Sequence, residues 1–596
     1  MLDKIRDILL KVEKPAQYVG GEFNMPNMDK PCDTRVCICF PDTYEIGMSN
    51  VGLKILYHML NEQEGIVCER AYAPLYDMAQ QMRNANLPLF SVDTFKNIVD
   101  FDIVGFSIPF ELTYTNVLYM LDLAHIPFYA KDRGEDFPLI IAGGACMINP
   151  EPIADFFDAI MIGEGECNLY EFTKLYQQCK KQGKTKSQFL DLAQDITGVY
   201  IPKNYKIEYT NDNKIKAIEG KTVKRAVVKN LDTAYYPTKI LVPNIEIVHD
   251  RVVLELYRGC ANGCRFCQAC FYYRPIRFRS KETLVKYAKE LIENTGYNEI
   301  SLSSLSTGDY KDLEQLIAQL QVLVKEKNVN LALPSLRLDT FKGEFAENSR
   351  KGSLTFAPEA GTQRLRNVIN KNITEQNVED SIKMAVEQGY NGIKLYFMLG
   401  LPTETEADLQ AIVDMVHKIK KISYSVRHNN SLSISVSTAI FIPKPLTPFE
   451  WEKQISMAEM LEKQNFLIQN LRIKNVRYHW HGAEVSQIEA VFARGNRRLS
   501  RVIERAYNIG CGFDSWSEHF RYDKWQQAFA ECNINIEDYT RAFDETEILP
   551  WDFIDHGVTK SYFLCEKHKA YEAKTTDSCL QHCNGCGVTC LGKCDL

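Results

Sequence analysis

The sequence predicts an α/β protein with a doubly wound, Rossmann-like N-terminal domain, a partial or full β/α barrel and a mainly helical C-terminal region. Its 596 residues are enough for three or four domains of roughly 100 to 200 residues each. Short apolar runs alternate with segments of helical periodicity along most of the chain, which is typical of βα units with parallel strands. Beyond residue 452 the pattern is largely helical.

The N-terminal domain is predicted to span residues 31–200, after a helical arm over residues 1–30. Its strand-like runs are each followed by a polar or glycine-rich break, and residues 51–61 have helical spacing. Ligands of a doubly wound sheet bind at the carboxyl ends of the strands, so these breaks are the candidate binding positions. The strand-like runs are 34–40, 102–110, 139–145 and 157–165.

A more polar segment, residues 201–250, is predicted to connect the domains through a β-hairpin, because an Asn-Asp-Asn turn separates two alternating runs. Strand and helix patterns resume over residues 251–451 and predict the barrel, whose chemistry would lie on the loops that follow its strands. Residues 452–596 are predicted to form helices and to end in a cysteine-rich tail.

Composition and charge narrow the classes of function. Hydrophobic residues make up 45% and charged residues 25% of the chain, which excludes a disordered, collagenous or coiled-coil protein. No run approaches 18 apolar residues and the N-terminal segment is charged through its middle, so neither a membrane span nor a signal peptide is expected. The net charge of −7 indicates no large nucleic-acid footprint, although a local patch stays open. We therefore expect a cytoplasmic protein with reduced cysteines.

Nine of the 19 cysteines lie in two short windows, residues 260–270 and 579–594. Clustered thiols in a reducing compartment indicate metal binding, whereas scattered thiols behave as small buried hydrophobes. The first window has the spacing C-x-x-x-C-x-x-C directly after a strand-like run. Three thiolates from one loop can bind three irons of a 4Fe–4S cluster and leave the fourth iron open for chemistry. Zinc, or a closed cluster completed by Cys270, is the competing interpretation.

With Phe266 before its third cysteine, this loop resembles the signature of the radical S-adenosylmethionine superfamily. The resemblance implies that Cys260, Cys264 and Cys267 are the catalytic metal ligands and that S-adenosylmethionine chelates the open iron. It further implies reductive cleavage to a 5′-deoxyadenosyl radical, which abstracts a substrate hydrogen, and an electron donor of the flavodoxin or ferredoxin type.

Later segments fit the order of that family's barrel and contain four predicted cofactor contacts. Gly308 lies in the segment after the second strand, where the family contacts the methionyl amino group. Ser335, Arg337 and Glu359 lie on the middle strands, where the resemblance implies ribose or carboxylate contacts. A purely structural role for each polar residue at the barrel mouth is the alternative.

In the N-terminal domain, Asp42, Tyr44 and Gly47 occupy the loop after the first predicted strand. Cobalamin-binding domains of this fold carry D-x-H-x-x-G there, and tyrosine replaces the cobalt-ligating histidine in this chain. A phenol is a poor neutral ligand, so the chain resembles members that leave this cobalt face unligated. The alternative is a domain that has kept the fold and lost the cofactor. The other cofactor contacts implied by the resemblance are Ser107, Gly143 and Gly144.

The second cysteine window repeats the spacing of the first, but no strand precedes it. An auxiliary iron–sulfur cluster and a structural zinc site are both open, with His582 as a further donor, and a flexible tail with free thiols is the third interpretation. The predicted metal ligands in the tail are Cys579, Cys583, Cys586 and Cys590.

The whole chain resembles an uncharacterised family of radical S-adenosylmethionine proteins with an N-terminal cobalamin-binding-like domain. Its members continue past the barrel with segments like 491–507, 513–525 and 548–558. Four polar residues of the C-terminal region are candidate substrate or metal contacts, with surface or capping roles as the alternative: His479, His481, Glu518 and His519. Three arginines are predicted either to bind phosphate or carboxylate groups or to lie in solvent: Arg274, Arg277 and Arg279.

The leading hypothesis is a radical enzyme that methylates or otherwise modifies an unactivated carbon, with cobalamin as second cofactor and methyl donor. One alternative is a methylthiotransferase-like RNA-modifying enzyme whose N-terminal domain holds no corrinoid. That class has its second cysteine triad in the N-terminal domain, whereas the extra triad of this chain lies in the tail. The other alternative is a non-catalytic cobalamin- or redox-sensing protein. No residue pattern identifies the substrate.

Overall fold

The computed structural model describes residues 2–332, 352–429 and 431–594. Its N-terminal domain is built on a six-stranded sheet of order β2-β1-β3-β4-β5-β6. Strands β1 to β5 are parallel and β6 is antiparallel to β5, with apolar clusters on both faces of the sheet, which confirms the doubly wound fold. The strands are β1 (Cys32–Phe40), β2 (Gly65–Tyr72), β3 (Ile103–Ser107), β4 (Leu139–Gly143), β5 (Ala159–Met161) and β6 (Val199–Tyr200).

Seven α-helices belong to this domain. The segment with helical spacing at residues 51–61 forms a helix over those residues, and Asn50 caps its N-terminus by accepting a hydrogen bond from the Leu53 amide at 2.8 Å. The helices are α1 (Leu2–Leu9), α2 (Tyr44–Gly47), α3 (Val51–Asn61), α4 (Tyr76–Asn84), α5 (Tyr114–Leu123), α6 (Gly165–Lys181) and α7 (Lys186–Ala193).

The connector contains the predicted hairpin. Strands β7 (Lys206–Tyr209) and β8 (Ile215–Glu219) pair in antiparallel register. A short strand, β9 (Val223–Lys224), follows and pairs with a strand near the C-terminus, β19 (Ile554–Asp555). The connector therefore fixes the C-terminal region to the first half of the chain.

The barrel region contains two sheets of parallel strands, one of order β10-β13-β14 and one of order β15-β16-β17-β18. Residues 333–351, between β14 and β15, lie outside the described residues. Strand β18 extends the second sheet beyond residue 451, into the region predicted to be helical. The strands are β10 (Val252–Glu255), β11 (Tyr257–Arg258), β12 (Arg277–Phe278), β13 (Glu299–Ser303), β14 (Asn330–Ala332), β15 (Ser353–Glu359), β16 (Gly392–Leu399), β17 (Ser433–Ile440) and β18 (Val476–Trp480).

Helices alternate with these strands, as the sequence predicts for βα units. Ser280 caps the helix that follows the cysteine loop, since its hydroxyl accepts a hydrogen bond from the Thr283 amide at 3.3 Å. The helices are α8 (Gln268–Tyr272), α9 (Lys281–Thr295), α10 (Leu313–Lys327), α11 (Gln363–Val368), α12 (Glu375–Glu387), α13 (Glu406–Arg427) and α14 (Met457–Asn470).

The C-terminal region is mainly helical, as predicted, and packs against the N-terminal domain. Phe492 and Trp525 share one apolar cluster with Phe106 of β3, and the rings of Phe492 and Tyr114 lie 5.6 Å apart. No helix in the described ranges is long and apolar enough to cross a membrane. The helices are α15 (Ala483–Arg494), α16 (Ser500–Asn508), α17 (Tyr522–Glu531), α18 (Glu537–Thr540) and α19 (Lys560–Tyr571).

Candidate functional site

The first cysteine window forms a tight loop at the carboxyl end of the first barrel strands. Gly259 follows β11 with a φ of +96°, and a Cβ there would lie 3.0 Å from the Tyr273 carbonyl oxygen, so this close approach requires glycine. Cys260 and Cys264 are buried, and Cys267 is half-buried at the start of α8. The loop therefore brings the three predicted ligands together between a strand and a helix.

Hydrogen bonds to segments that are distant in sequence stabilise this loop. The buried guanidinium of Arg265 donates to the Asn367 and Val368 carbonyls at 3.0 and 2.9 Å and to the Glu566 carboxylate at 3.0 Å. In the tail, the Cys579 amide donates to the Ala261 carbonyl at 2.9 Å. These contacts fix the backbone of the cysteine loop, which is the requirement for a preorganised ligand set.

The thiols of the loop differ in acidity because their surroundings differ. Hydrogen bonding from Cys270 and Asn262 lowers the pKa of Cys260 to about 6, against the opposing effect of burial. Burial, together with the neighbouring Cys264 and Cys260, raises the pKa of Cys267 to about 12. Within residues 2–332, 352–429 and 431–594, no three His, Cys, Asp or Glu side chains converge as metal ligands. The thiols of the loop would have to rotate to bind one.

The predicted contact Gly308 lies in a turn over Thr307–Asp309, and this turn touches the cysteine loop. Asn262 Nδ2 donates to Asp309 Oδ2 at 2.7 Å, and the Tyr257 hydroxyl donates to the Ser306 carbonyl. The structure thus brings Gly308 next to the loop, as expected for loops at the same end of neighbouring parallel strands.

Glu359 ends β15 with a φ of +66°, a conformation that non-glycine residues rarely adopt. Its carboxylate lies 3.1 Å from the Lys371 ammonium, and burial raises the pKa of Glu359. Asn370, next to Lys371, donates to the Asn262 and Gly263 carbonyls of the cysteine loop at 3.3 and 3.1 Å. Glu359 therefore lies close to the cysteine loop. The other two predicted contacts of the middle strands, Ser335 and Arg337, lie outside the described residues.

A cavity of about 570 Å³ lies between the N-terminal domain and the barrel, within the size range of ligand sites. Its walls include the ends of β3, β4 and β5, the start of α3 and α6, and, from the barrel, Gly259 and residues 303–305. Three predicted cofactor contacts line it: Ser107, Gly143 and Gly144. Gly144 has a φ of +123°, and a Cβ there would lie 2.2 Å from the Ile108 carbonyl oxygen, so only glycine fits.

The other three predicted contacts of the N-terminal domain do not line this cavity. The buried Tyr44 hydroxyl donates to Glu22 at 2.9 Å, and Asp42 accepts a hydrogen bond from the Trp516 indole at 3.1 Å. A Cβ on Gly47 would lie 2.4 Å from the Tyr72 ring. The D-x-Y-x-x-G frame is therefore used for packing and for buried hydrogen bonds.

A buried ionic network at the cavity was missed by sequence reasoning. Glu164 lies 2.7 Å from Arg277 and 3.3 Å from Arg258, and Arg258 also pairs with Glu166 at 2.6 Å and with Glu255 at 2.9 Å. The charges belong to both domains, so the network joins them. The one sequence signal for this network is the Gly-Glu-Gly-Glu run at residues 163–166. Charged residues that directly follow an apolar strand are candidates for buried ion pairs.

The three arginines after the cysteine loop are all buried, so of the two predicted alternatives the solvated one does not apply. Arg277 pairs with Glu164, and Arg279 pairs with Glu255 at 3.0 Å and lies 4.7 Å above the Tyr236 ring. Arg274 lies 4.9 Å above the Phe271 ring. Of the candidate polar residues in the C-terminal region, His479, His481 and Glu518 are exposed and His519 packs edge-on against Tyr76. None of the four lines the cavity.

The tail cysteines divide by exposure. Cys579 and Cys586 are buried, whereas Cys583 and Cys590 are exposed, and Cys594 is half-buried. The ligands predicted from spacing therefore do not share one environment.

Comparison with known proteins gives two family matches. Residues 52–202 match the family described as "Radical SAM proteins, N-terminal", and residues 254–416 match the "Radical SAM superfamily". The second match contains the cysteine loop, the Gly308 turn and Glu359.

Three individual proteins extend this comparison. An uncharacterized protein of Methanocaldococcus jannaschii is 27% identical over 505 residues, 84% of this chain and 97% of that protein. A putative methylthiotransferase of the same organism is 28% identical over 195 residues, which cover 30% of this chain and 43% of that protein. The solved radical S-adenosylmethionine methyltransferase TsrM from Kitasatospora setae, with cobalamin and a 4Fe–4S cluster bound, is 12% identical, with a TM-score of 0.45 over 68% of this chain and 74% of that chain.

Proposed function

Because the chain belongs to the radical S-adenosylmethionine superfamily, we propose that it is an enzyme that cleaves S-adenosylmethionine reductively and modifies an unactivated carbon of its substrate. We propose methylation as the modification, with cobalamin bound in the interdomain cavity. The observation that carries this proposal is that one cavity reaches from the Gly143-Gly144 pair to Gly259, the residue before the first cysteine of the loop.

The cysteine loop fits a 4Fe–4S cluster by its donor set. Three thiols from one rigid loop can ligate three irons, and the lowered pKa of Cys260 favours the thiolate form that iron requires. When bound, such a cluster supplies the electron that cleaves the sulfonium and produces the 5′-deoxyadenosyl radical. The hydrogen bonds from Arg265 and Cys579 keep the loop backbone in place while the thiols rotate to the metal.

Residues beside the loop can orient S-adenosylmethionine. The turn around Gly308 exposes backbone groups next to Asn262, and the Glu359–Lys371 pair offers one charge of each sign near Cys267. The methionyl group of the cosubstrate carries an ammonium and a carboxylate, so a paired carboxylate and ammonium match both. Ser335 and Arg337 stay predictions from the family resemblance.

The N-terminal side of the cavity offers apolar side chains that can pack against the face of a large macrocycle. Val36, Ile38, Ile55 and Ile141 are among its apolar lining residues, and such residues predominate in ligand pockets. Gly143 and Gly144 leave backbone without side chains on its wall, which permits close approach of a ligand. Cobalamin, when bound, supplies a transferable methyl group. Tyr44 is engaged with Glu22, so the proposal includes no cobalt ligand from that loop.

The experiment that tests this proposal is anaerobic reconstitution with iron and sulfide, followed by incubation with S-adenosylmethionine, a low-potential reductant and hydroxocobalamin. We expect 5′-deoxyadenosine formation and a corrinoid that stays bound through gel filtration. In Gly143→Ala the new Cβ would lie 3.4 Å from Met161, an ordinary contact, so this variant should fold and cleave S-adenosylmethionine but bind corrinoid at least tenfold more weakly. Absence of 5′-deoxyadenosine would refute the radical enzyme, and unchanged corrinoid affinity in Gly143→Ala would refute the cofactor site.

A methylthiotransferase is the second candidate, and it is favoured by the similarity to a putative methylthiotransferase. Against it, Cys37, Cys39 and Cys68 are fully buried in β1 and β2 of the N-terminal domain, where they cannot ligate a second cluster without unfolding the sheet. This candidate predicts sulfur insertion into RNA and no bound corrinoid. A non-catalytic sensor predicts no adenosine release under any reductant.

A further inference from the structure

Arg274 is buried in a place where no carboxylate neutralises it. Its side chain is among the largest fully buried ones, and its Nε and Nη1 atoms have no hydrogen-bond partner. Nη2 points to the Cys270 sulfur at 3.8 Å. Over the described ranges, no ion pair of Arg274 with a carboxylate is present. A buried guanidinium without an anion is strongly unfavourable, so an anionic group is expected beside it.

The Tyr562 hydroxyl and thiols from two parts of the chain act electrostatically on this guanidinium. Cys270 belongs to α8, whereas Cys579, Cys586 and Cys594 belong to the tail. Cys270, Cys586 and Cys594 share one apolar cluster, and the Cys579 amide is bonded to Ala261 of the cysteine loop. Gly592 of the tail approaches the Pro275 ring, since a Cβ there would lie 3.5 Å from it. The tail therefore folds back over the segment that carries Arg274.

We propose that Cys579, Cys586 and Cys594, together with Cys270, bind a metal centre as thiolates, and that Arg274 is the buried counter-ion of that centre. Four thiolates around a zinc ion or a 4Fe–4S cluster carry a net charge of about −2, which Arg274 offsets in part. This ligand set replaces Cys583 and Cys590 of the spacing-based prediction, because both of those are exposed.

The chemistry of binding is simple. Each thiol releases its proton to solvent as its sulfur–metal bond forms, and zinc or a preformed 4Fe–4S cluster then binds without a change of oxidation state. The side chains do not converge on one point in the structure, so binding requires rotation of the thiols about their Cα–Cβ bonds. The backbone is already in place, since the Cys579 amide is bonded to Ala261 and the Cys586 carbonyl accepts the Thr559 amide at 3.0 Å.

The position of this second centre links it to the first cysteine loop. Ala261 lies between Cys260 and Cys264, and Cys270 follows Cys267 by three residues. A metal held by Cys270 and the tail therefore ties both ends of the loop to the C-terminal segment. We infer that the second centre stabilises the loop whatever the loop itself binds.

The test removes the three cysteines of the first site and measures how much metal the remaining chain binds. In the variant Cys260→Ala/Cys264→Ala/Cys267→Ala, reconstituted anaerobically with iron and sulfide or with zinc alone, we expect one metal centre per chain by metal and acid-labile sulfide analysis. The two arms distinguish an iron–sulfur cluster from zinc. Adding Cys586→Ala should lower the bound metal at least tenfold, whereas the matched controls Cys583→Ala and Cys590→Ala should leave it unchanged.

Two results would overturn the proposal: full metal retention in Cys586→Ala, or loss of metal in the Cys583→Ala and Cys590→Ala controls. If the multiple variants do not fold, the single substitutions are made instead in the full chain with its first site intact. Cys586→Ala should then lose the metal of the second centre and keep the metal of the first. Arg274→Leu should weaken Co²⁺ binding, followed by the sulfur-to-cobalt absorption band, at least tenfold. Activity is not measured, so failure of the radical reaction would leave this result unaffected.

Discussion

The Glu164 carboxylate accepts hydrogen bonds from Arg277 Nη1 at 2.7 Å and from Arg277 Nη2 at 3.0 Å. Glu164 follows the last parallel strand of the N-terminal sheet, and Arg277 belongs to the barrel. Both side chains are buried. This bidentate pair therefore fixes the relative position of the two domains at the wall of their common cavity.

Breaking this pair should destabilise the protein strongly. In Glu164→Gln the charges of Arg277 and Arg258 lose their shared anion, so we expect the free energy of unfolding to fall by about 3–5 kcal/mol, measured by urea denaturation. Glu208→Gln, in the exposed pair with Lys206, is the matched control and should leave the free energy of unfolding almost unchanged. Equal losses in the two variants would contradict a special role for the buried pair.

Removing one thiol of the cysteine loop should abolish catalysis. Cys264→Ala leaves two loop thiols, which cannot hold the cluster, so we expect a loss of about four irons per chain and no detectable 5′-deoxyadenosine. Cys565→Ala, an exposed cysteine on α19, should retain both. Product formation by Cys264→Ala would show that the loop is not the reaction centre.

Gly144 should tolerate no side chain. An alanine Cβ would collide with the Ile108 carbonyl at a φ of +123°, so the β4 loop must shift and the cavity wall with it. We expect Gly144→Ala to lose about 1–3 kcal/mol of unfolding free energy and also to bind corrinoid more weakly. Gly134→Ala, where a Cβ meets nothing within 4 Å, should behave like the wild type in thermal unfolding. A Gly144→Ala protein as stable as Gly134→Ala would contradict the collision.

Stability should depend on pH through Asp514. Burial raises the pKa of Asp514 to about 6, although Thr115 and the Trp525 indole donate to it at 2.5 and 2.9 Å. Between its ordinary pKa and pH 6 the folded protein holds a proton that the unfolded chain releases, so this group lowers stability as pH rises across that range.

Asp514→Asn keeps the shape and removes the titration. We expect the variant to gain roughly 2–3 kcal/mol over the wild type at pH 7.5 and little at pH 4, measured by urea denaturation at both pH values. Asp544→Asn, an exposed carboxyl, is the control and should show no such gain at pH 7.5. A pH-independent difference between Asp514→Asn and the wild type would contradict the raised pKa.

Local patterns predicted the elements well and long-range contacts poorly. Strand β4, for example, is a continuous apolar run and lies within the predicted strand-like run 139–145. Strand β2 was missed because Glu69 and Arg70 interrupt its apolar run, and both are buried through ion pairs with residues far along the chain. No spacing rule reveals such partners.

In the candidate site, too, sequence position was informative and long-range contacts could not be predicted. The family resemblance implied that Ser107, Gly143 and Gly144 are cofactor contacts, and all three line the cavity. Tyr44 also follows a strand of the same sheet, but its hydroxyl donates to Glu22 and its ring packs against Tyr72. Likewise, the spacing of the tail cysteines does not show which of them are buried near Arg274.

The hydrogen bond between Cys579 and Ala261 has a consequence for how the protein is made. Synthesis proceeds from the N-terminus, and domains generally fold as units as they emerge. The cysteine loop nevertheless lacks one of its backbone partners until Cys579 of the tail has been translated. Iron delivered before then would reach a cysteine loop that still lacks its hydrogen bond to the Cys579 amide. Maturation of the first site therefore belongs after translation of the tail, and ribosome-bound chains should be poor recipients for the cluster.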